Sequence, residues 1–231
     1  SEETLTAEAS LNALMKKYQG DYEGEMSCEL FSGKVTVDVS KIAEQVSASF
    51  IIMGTHGENR VQKLFGSKAV KVISSSKTPF IVVQKGTTFK PTRTIAMTID
   101  LDTDSVQVVK VAVQICKFFK SDLVLIGGDH SDSRLKRKVN ANMRIALSYL
   151  RDNRIDSSVI FLERKDFGEK LLAYCKKNKI DMLAATYYMN TFQLLSDKFV
   201  QKLLVNDIGV PVLTIDSESM GRGSQFGFLS A

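Results

Sequence analysis

Two short stretches hold the residue types that could cradle an anion. They are Gly54-Thr55-His56-Gly57 and, after eight intervening residues, Gly66-Ser67. An apolar run, Phe50-Ile51-Ile52-Met53, leads into Gly54 and reads as a buried parallel strand. Gly57 permits positive φ and a close backbone approach. Gly66-Ser67 opens a helix, whose first backbone N–H groups favour an anion, and a hydroxyl can add one more bond. Ser67 could be that hydroxyl or simply the cap of its helix. Arg60 and Lys63 could face phosphates or solvent, and His56 could reach a phosphate or lie on the surface. On residue types alone, the pattern fits a phosphate site or a plain tight turn.

Little else carries chemistry. No Ser-His-Asp, Cys-His or paired-carboxylate constellation stands out, so no defined catalytic reaction is expected. Asp100, after the apolar run Ile95-Ala96-Met97-Thr98-Ile99, reads as a turn or helix-capping residue, and Asp102 and Asp104 suit a helix N-terminus better than a metal. Cys28, Cys116 and Cys175 form no CxxC pair and fit buried, inert thiols in a reducing cytoplasm. With two histidines, His56 and His130, a multi-histidine metal site is not expected. The net charge of +5 is a mild bias, and the basic run Arg134-Leu135-Lys136-Arg137-Lys138 follows Asp129 and Asp132. A solvated helix face explains it better than a nucleic-acid surface. No apolar stretch is long enough to span a membrane.

The elements that must position these residues alternate between helix and strand. Leu11, Leu14, Met15 and Tyr18 share one face of a helix over 7–19. A strand is expected over 26–31, a helix over 38–48 with Asp38 as its N-cap, a strand over 49–54, a helix over 67–75 and a strand over 79–84, followed by a linker at 86–91. The second half continues with strands over 94–99, 123–126, 158–162, 181–185 and 210–215. Helices are expected over 104–119, 133–154, 166–179 and 199–205. Strands separated by helices imply a parallel sheet covered on both faces.

The halves repeat. Thr78-Pro79-Phe80-Ile81-Val82-Val83 matches Val210-Pro211-Val212-Leu213-Thr214-Ile215, and Phe50 to Gly54 matches Asp181 to Ala185. Two copies of one α/β unit are the simplest reading: a first domain over 1–86, a second over 87–216, and a Ser- and Gly-rich tail over 217–231. Phe226, Phe228 and Leu229 could anchor that tail. The second copy opens with strand, helix, strand before its long helix, whereas the first copy begins at the long helix and so lacks an opening βαβ. In a doubly wound sheet the first strand is central. The missing piece is therefore expected as a separate or cleaved segment, or as a partner chain.

The stretch Ile51-Ile52-Met53-Gly54-Thr55-His56-Gly57, then Gly66-Ser67, then Val70, Val72-Ile73 and Pro79-Phe80-Ile81-Val82-Val83 resembles the C-terminal part of a universal stress protein domain. The resemblance implies two tandem Rossmann-like (adenine nucleotide alpha hydrolase-like) open parallel sheets with helices on both faces. It implies that Gly54, Thr55, His56, Gly57, Gly66 and Ser67 surround the phosphates and ribose of ATP, with magnesium, in a sensing rather than catalytic role with at most slow hydrolysis. The loop is one residue shorter than the family spacing. The family's other contacts come from the ends of the first two strands, including an Asp where Asp100 stands in the second copy. There Ala185-Thr186-Tyr187-Tyr188 replaces the glycine turn, which reads as degenerate for nucleotide. A family member's last strand often pairs with its copy in a partner, so 79–84 and 210–215 could pair within one chain as a pseudo-dimer, or support a homodimer. The alternatives are a scaffold of the same fold that binds no nucleotide, or an enzyme of a related adenylate-forming or electron-transfer-flavoprotein-like family.

Overall fold

The computed structural model describes residues 2–21, 23–31, 33–54, 67–84, 87, 90–187 and 197–216. They form α1 (Glu2–Tyr18), α2 (Val35–Gln45), β1 (Ile51–Gly54), α3 (Ser67–Ile73), β2 (Phe80–Val83), β3 (Thr94–Ile99), α4 (Gln107–Phe119), β4 (Asp122–Asp129), α5 (Ser133–Asp152), β5 (Ser157–Glu163), α6 (Phe167–Lys177), β6 (Met182–Tyr187), α7 (Asp197–Leu204) and β7 (Val212–Asp216).

All seven strands join one sheet in the order β1-β2-β7-β6-β3-β4-β5. Every neighbouring pair is parallel except β2 and β7, which run antiparallel with Ile81 opposite Leu213. From β3 onward the strands form a doubly wound unit: β3 is central, β4 and β5 lie on one side, and β6 and β7 lie on the other. The chain reverses its direction of travel across the sheet between β3 and β6, and an open α/β sheet has its ligand crevice at such a reversal, outside the carboxyl ends of the strands.

The sheet is covered on both faces, as apolar runs such as Ile95-Ala96-Met97 require. On one face α3, α6 and α7 pack over Phe80, Val82, Ala96, Leu183 and Val212. On the other, α4 and α5 pack over Ile95, Met97, Ile99, Ala184, Leu213 and Ile215. The repeat is visible in the ladder itself, shifted by one residue from the sequence match of Phe50–Gly54 with Asp181–Ala185, so that Ile51 takes the place of Leu183 rather than Met182. Ile51 pairs with Phe80 as Leu183 pairs with Val212. The Ile51 N–H donates to Pro79 O and the Leu183 N–H to Pro211 O, both at 2.9 Å.

Two local expectations are corrected. Residues 26–31 are not a strand; they have no ladder partners among the described residues, and all but half-buried Met26 are exposed. By the repeat they correspond to β5, which pairs with β4. No described strand of the first half stands in the place of β4, and a strand without a ladder leaves its backbone to water. Asp38 is not an N-cap. The helix starts earlier, at Val35, after Lys34, whose side chain caps nothing, and Asp38 lies in the first turn, where a negative charge still suits the helix dipole.

Candidate functional site

Of the six residues in the glycine-rich pattern, Gly54 and Ser67 are in described positions. Gly54 ends β1 and is exposed, and a Cβ built on it would meet nothing within 4 Å. Ser67 begins α3. Thr55, His56, Gly57 and Gly66 lie outside the described residues, as do Arg60 and Lys63. The strand end and the helix start that would flank the turn are thus both present, with β2 alongside β1.

In the second copy the corresponding strand behaves differently. β6 continues through Thr186 and Tyr187, which pair with Ile215 and Asp216. Among the described residues the β1–β2 ladder runs from Ile51 to Gly54 and the β6–β7 ladder from Leu183 to Tyr187. Tyr188 lies outside the described residues.

At the carboxyl ends of β3, β4 and β5, three charged or titratable side chains meet: Asp100, His130 and Arg164. Asp100 follows β3 and is 3% exposed. Its backbone is held tightly: Asn142 Nδ2, from α5, donates to the carbonyls of Asp100 (2.7 Å) and Asp102 (3.1 Å), and the Ser105 hydroxyl donates to Asp102 O at 2.6 Å. Its carboxylate oxygens, by contrast, accept no hydrogen bond of good geometry from the described residues. Asp100 is therefore not the capping residue that its place before a helix implies. Burial pushes its pKa above the usual carboxylate value; the Leu101 backbone N–H, Arg164 and His130 act in the other direction, and Asp102 adds to the rise.

His130 follows β4 and is 4% exposed. The Arg164 guanidinium donates to its ring, 2.7 Å from Nδ1. Burial, then the Arg164 charge, hold the imidazole pKa below its ordinary value, outweighing the nearby Asp100, Asp129 and Asp132. A neutral ring can accept from Arg164, and a charged one would be repelled. At the end of β6, the buried Thr186 hydroxyl is also without a partner among the described residues. The orphaned groups at Asp100 and Thr186 therefore sit on the two strands that border the chain reversal. Sequence reasoning missed His130, Arg164, Asn142 and Thr186. The available signal was positional: His130 and Arg164 stand just past apolar runs that also read as strands, as Asp100 does.

The cluster suits recognition by hydrogen bonds. Its hydroxyl and amide groups fix backbone. Among the described residues no group of three or more His, Cys, Asp or Glu side chains is arranged to hold a metal ion. Cys116 and Cys175 are buried, and burial pushes both thiols up to about 12; such thiols pack as apolar groups. Cys28 is exposed. Among the described residues no helix is long and apolar enough to cross a membrane.

A groove of 820 Å³ lies elsewhere, floored by Ile52, Ile81 and Val83 and rimmed by Lys90, Lys176 and Lys179. The rest of its lining comes mostly from the second half, with Phe119, Met182, Ile208 and Val210 and the carboxylates Asp181 and Asp207, and Asp100 is not part of it.

Residues 1–84 match the model of the universal stress protein family. A universal stress protein from Archaeoglobus fulgidus DSM 4304 superposes at TM-score 0.73 and 17% identity, covering 94% of this chain and 80% of its own. A functionally unknown protein from Pseudomonas aeruginosa PAO1 superposes at TM-score 0.59 and 13% identity, covering 92% and 79%. A universal stress protein in complex with cAMP matches 55% of this chain and 99% of its own at TM-score 0.41 and 15% identity. No curated protein matches the sequence.

Proposed function

We propose that this chain, whose residues 1–84 match the universal stress protein family model, is a member of that family that binds an adenine nucleotide at the turn after β1 and acts as a sensing or regulatory protein. One observation carries the reading. A parallel strand ends at an exposed glycine with open space at its Cα, and a helix begins at Ser67 within the same strand–helix–strand unit. Backbone N–H groups at Gly54, Thr55, His56, Gly57 and Gly66, with the Ser67 hydroxyl, would cradle the phosphates of ATP, and magnesium would arrive on the phosphates. In this reading the second copy is not a second cradle, since Ala185-Thr186-Tyr187-Tyr188 stands in place of the glycine turn.

In this reading the chain is cytoplasmic, in keeping with its free cysteines. It forms two domains, 1–86 and 87–216, joined as an intrachain pseudo-dimer across β2 and β7. A second reading, a scaffold that binds no nucleotide, is favoured by the apolar surface on the first half, where Leu5, Phe31 and Ile52 are all more than half exposed.

Titration calorimetry with Mg·ATP on the full chain separates the two. The nucleotide reading expects saturable heat that Gly57→Val abolishes while the melting temperature without ligand stays the same. No heat from the unmutated chain leaves the scaffold.

A further inference from the structure

In the second half the sheet ends at β5, and no strand among the described residues pairs with its outer side. The Leu123 N–H donates to Asp156 O, so by alternation Asp156, Ser158, Ile160 and Leu162 turn their backbone groups toward β4. Ser157, Val159, Phe161 and Glu163 turn theirs outward, along a strand seven residues long. Sheets commonly blunt such an edge with Lys, Pro or a bulge. Residues 157–163 hold no Lys and no Pro, and their register with β4 runs unbroken from Ser157 to Glu163. The strand is also apolar on both faces. Val159 packs against the core under α4 and α5, and Ile160 and Leu162 against the core under α6 and α7. The Phe161 ring lies over Gly127, where a Cβ would come within 2.8 Å of it, and Phe161 is still 43% exposed.

We infer that β5 pairs antiparallel with β5 of a second copy of this chain, about a two-fold axis at Ile160, so that the two sheets become one. The strand's own charges select that partner and that register. An axis at Ile160 aligns Ser157 with Glu163 of the second copy and Val159 with Phe161, which uses every outward residue of both strands. It also sets Asp156 opposite Arg164 of the second copy. Both residues stand one position beyond the strand, and neither makes an ion pair among the described residues. Arg164 meets His130 through Nη1, and a guanidinium has further N–H groups for a carboxylate. Moving the axis to Val159 sets Arg154 opposite Arg164, and moving it to Phe161 sets Asp156 opposite Asp166. Unlike charges across an antiparallel pair stabilise it and like charges oppose it, so both neighbouring registers are disfavoured. On one face Ile160 meets its own copy; on the other, the part-exposed Phe161 covers Val159 of the second copy. The edge lies at the opposite end of the sheet from β1, and the pairing holds whether or not a nucleotide binds.

Sedimentation velocity on the full chain, with cysteine cross-linking, tests it. The chain is expected to sediment as a dimer that dissociates on dilution. Asp156→Arg, at an exposed position, sets like charges opposite each other twice and weakens the dimer about tenfold. Val159→Pro removes an N–H that points away from β4, which an edge strand tolerates, and leaves only monomer. In a Cys28→Ser background, Ile160→Cys cross-links to its own copy on mild oxidation, because a non-hydrogen-bonded antiparallel pair brings its Cα atoms to about 4.5 Å. Ser158→Cys, which faces Leu162 of the second copy, does not cross-link. A chain that stays monomeric at concentrations on the order of 100 μM overturns the inference. So does a dimer that survives Val159→Pro, since another surface then holds it. If Val159→Pro lowers the melting temperature, the other variants decide: an unweakened Asp156→Arg dimer, or equal cross-linking at residues 158 and 160, overturns the pairing.

Discussion

The two halves of the sheet use equivalent strands with the same register, yet one is sealed and the other open. Leu183 on β6 is 1% exposed, and its neighbour Ala184 is fully buried. On β1, Ile51 is half-buried, and Ile52, in the place of Ala184, is 71% exposed. The strand hydrogen bonds are the same on the inner side, down to the proline carbonyl that accepts from each. Burial of a strand is thus set by what stands beside and above it as much as by its own residues. The open position even carries the larger side chain, which a covering element could use.

The largest test of this contrast is a pair of truncations at equivalent positions. Leu183→Ala removes a side chain enclosed on every side and should cost about 2–5 kcal/mol. Ile51→Ala, at the same register against β2, should cost well under half as much, because its surroundings are already part solvent. Urea midpoints at constant slope give both numbers. Equal losses would mean that β1 is covered in solution as thoroughly as β6.

A smaller effect is expected where the second half ties its central strand in place. The Asp181 carboxylate accepts from the backbone N–H groups of Arg93 (2.9 Å) and Thr94 (3.1 Å) and lies 2.7 Å from Lys90 Nζ. Burial raises its pKa, but the bonds from Lys90, Arg93 and Thr94 outweigh it, and the net value is lowered. Such a group stabilises the fold above its unfolded pKa and loses that contribution as pH falls through the folded value. Asp181→Ala should therefore cost about 1–3 kcal/mol at neutral pH and progressively less in acid below the unfolded value of 3.8. The repeat puts exposed Ser49 at this position in the first half, with no described strand to hold, and Ser49→Ala should change stability by less than about 0.5 kcal/mol. Denaturation at several pH values checks both.

The same contrast explains what was legible in the sequence. Apolar runs identified β1, β2, β3, β6 and β7, because their core residues are local and continuous, and Gly54, Pro79 and Pro211 marked the limits of β1, β2 and β7. The repeated proline at Pro79 and Pro211 marked the register of both copies. Segment 26–31 read as a strand because its composition allows one, and composition cannot supply a neighbour to pair with. Of the glycine pattern, the end of β1 at Gly54 and the start of α3 at Ser67 stand where the sequence put them. The Asp100–His130–Arg164 cluster was not, because its members come from the ends of three strands far apart in sequence and meet through the order β3-β4-β5.

The smallest effect, and the most diagnostic for that cluster, concerns Asp100. Its carboxylate is buried without a partner of good geometry among the described residues, and burial raises its pKa. A carboxyl whose folded pKa lies above the unfolded value of 3.8 binds its proton more tightly when folded. Stability from that group is therefore full below the unfolded pKa and is lost as pH rises through the folded one. Asp100→Asn removes the charge but keeps the shape, so it should raise the melting temperature at pH 7 and leave it nearly unchanged at pH 3. The first half has no described counterpart of Asp100, so no substitution there should reproduce this pH-dependent gain. If Asp100→Asn instead lowers the melting temperature at pH 7, the carboxylate has a partner in solution and is not an orphan. Loss of that penalty on adding a ligand would identify the group that Asp100 is placed to meet.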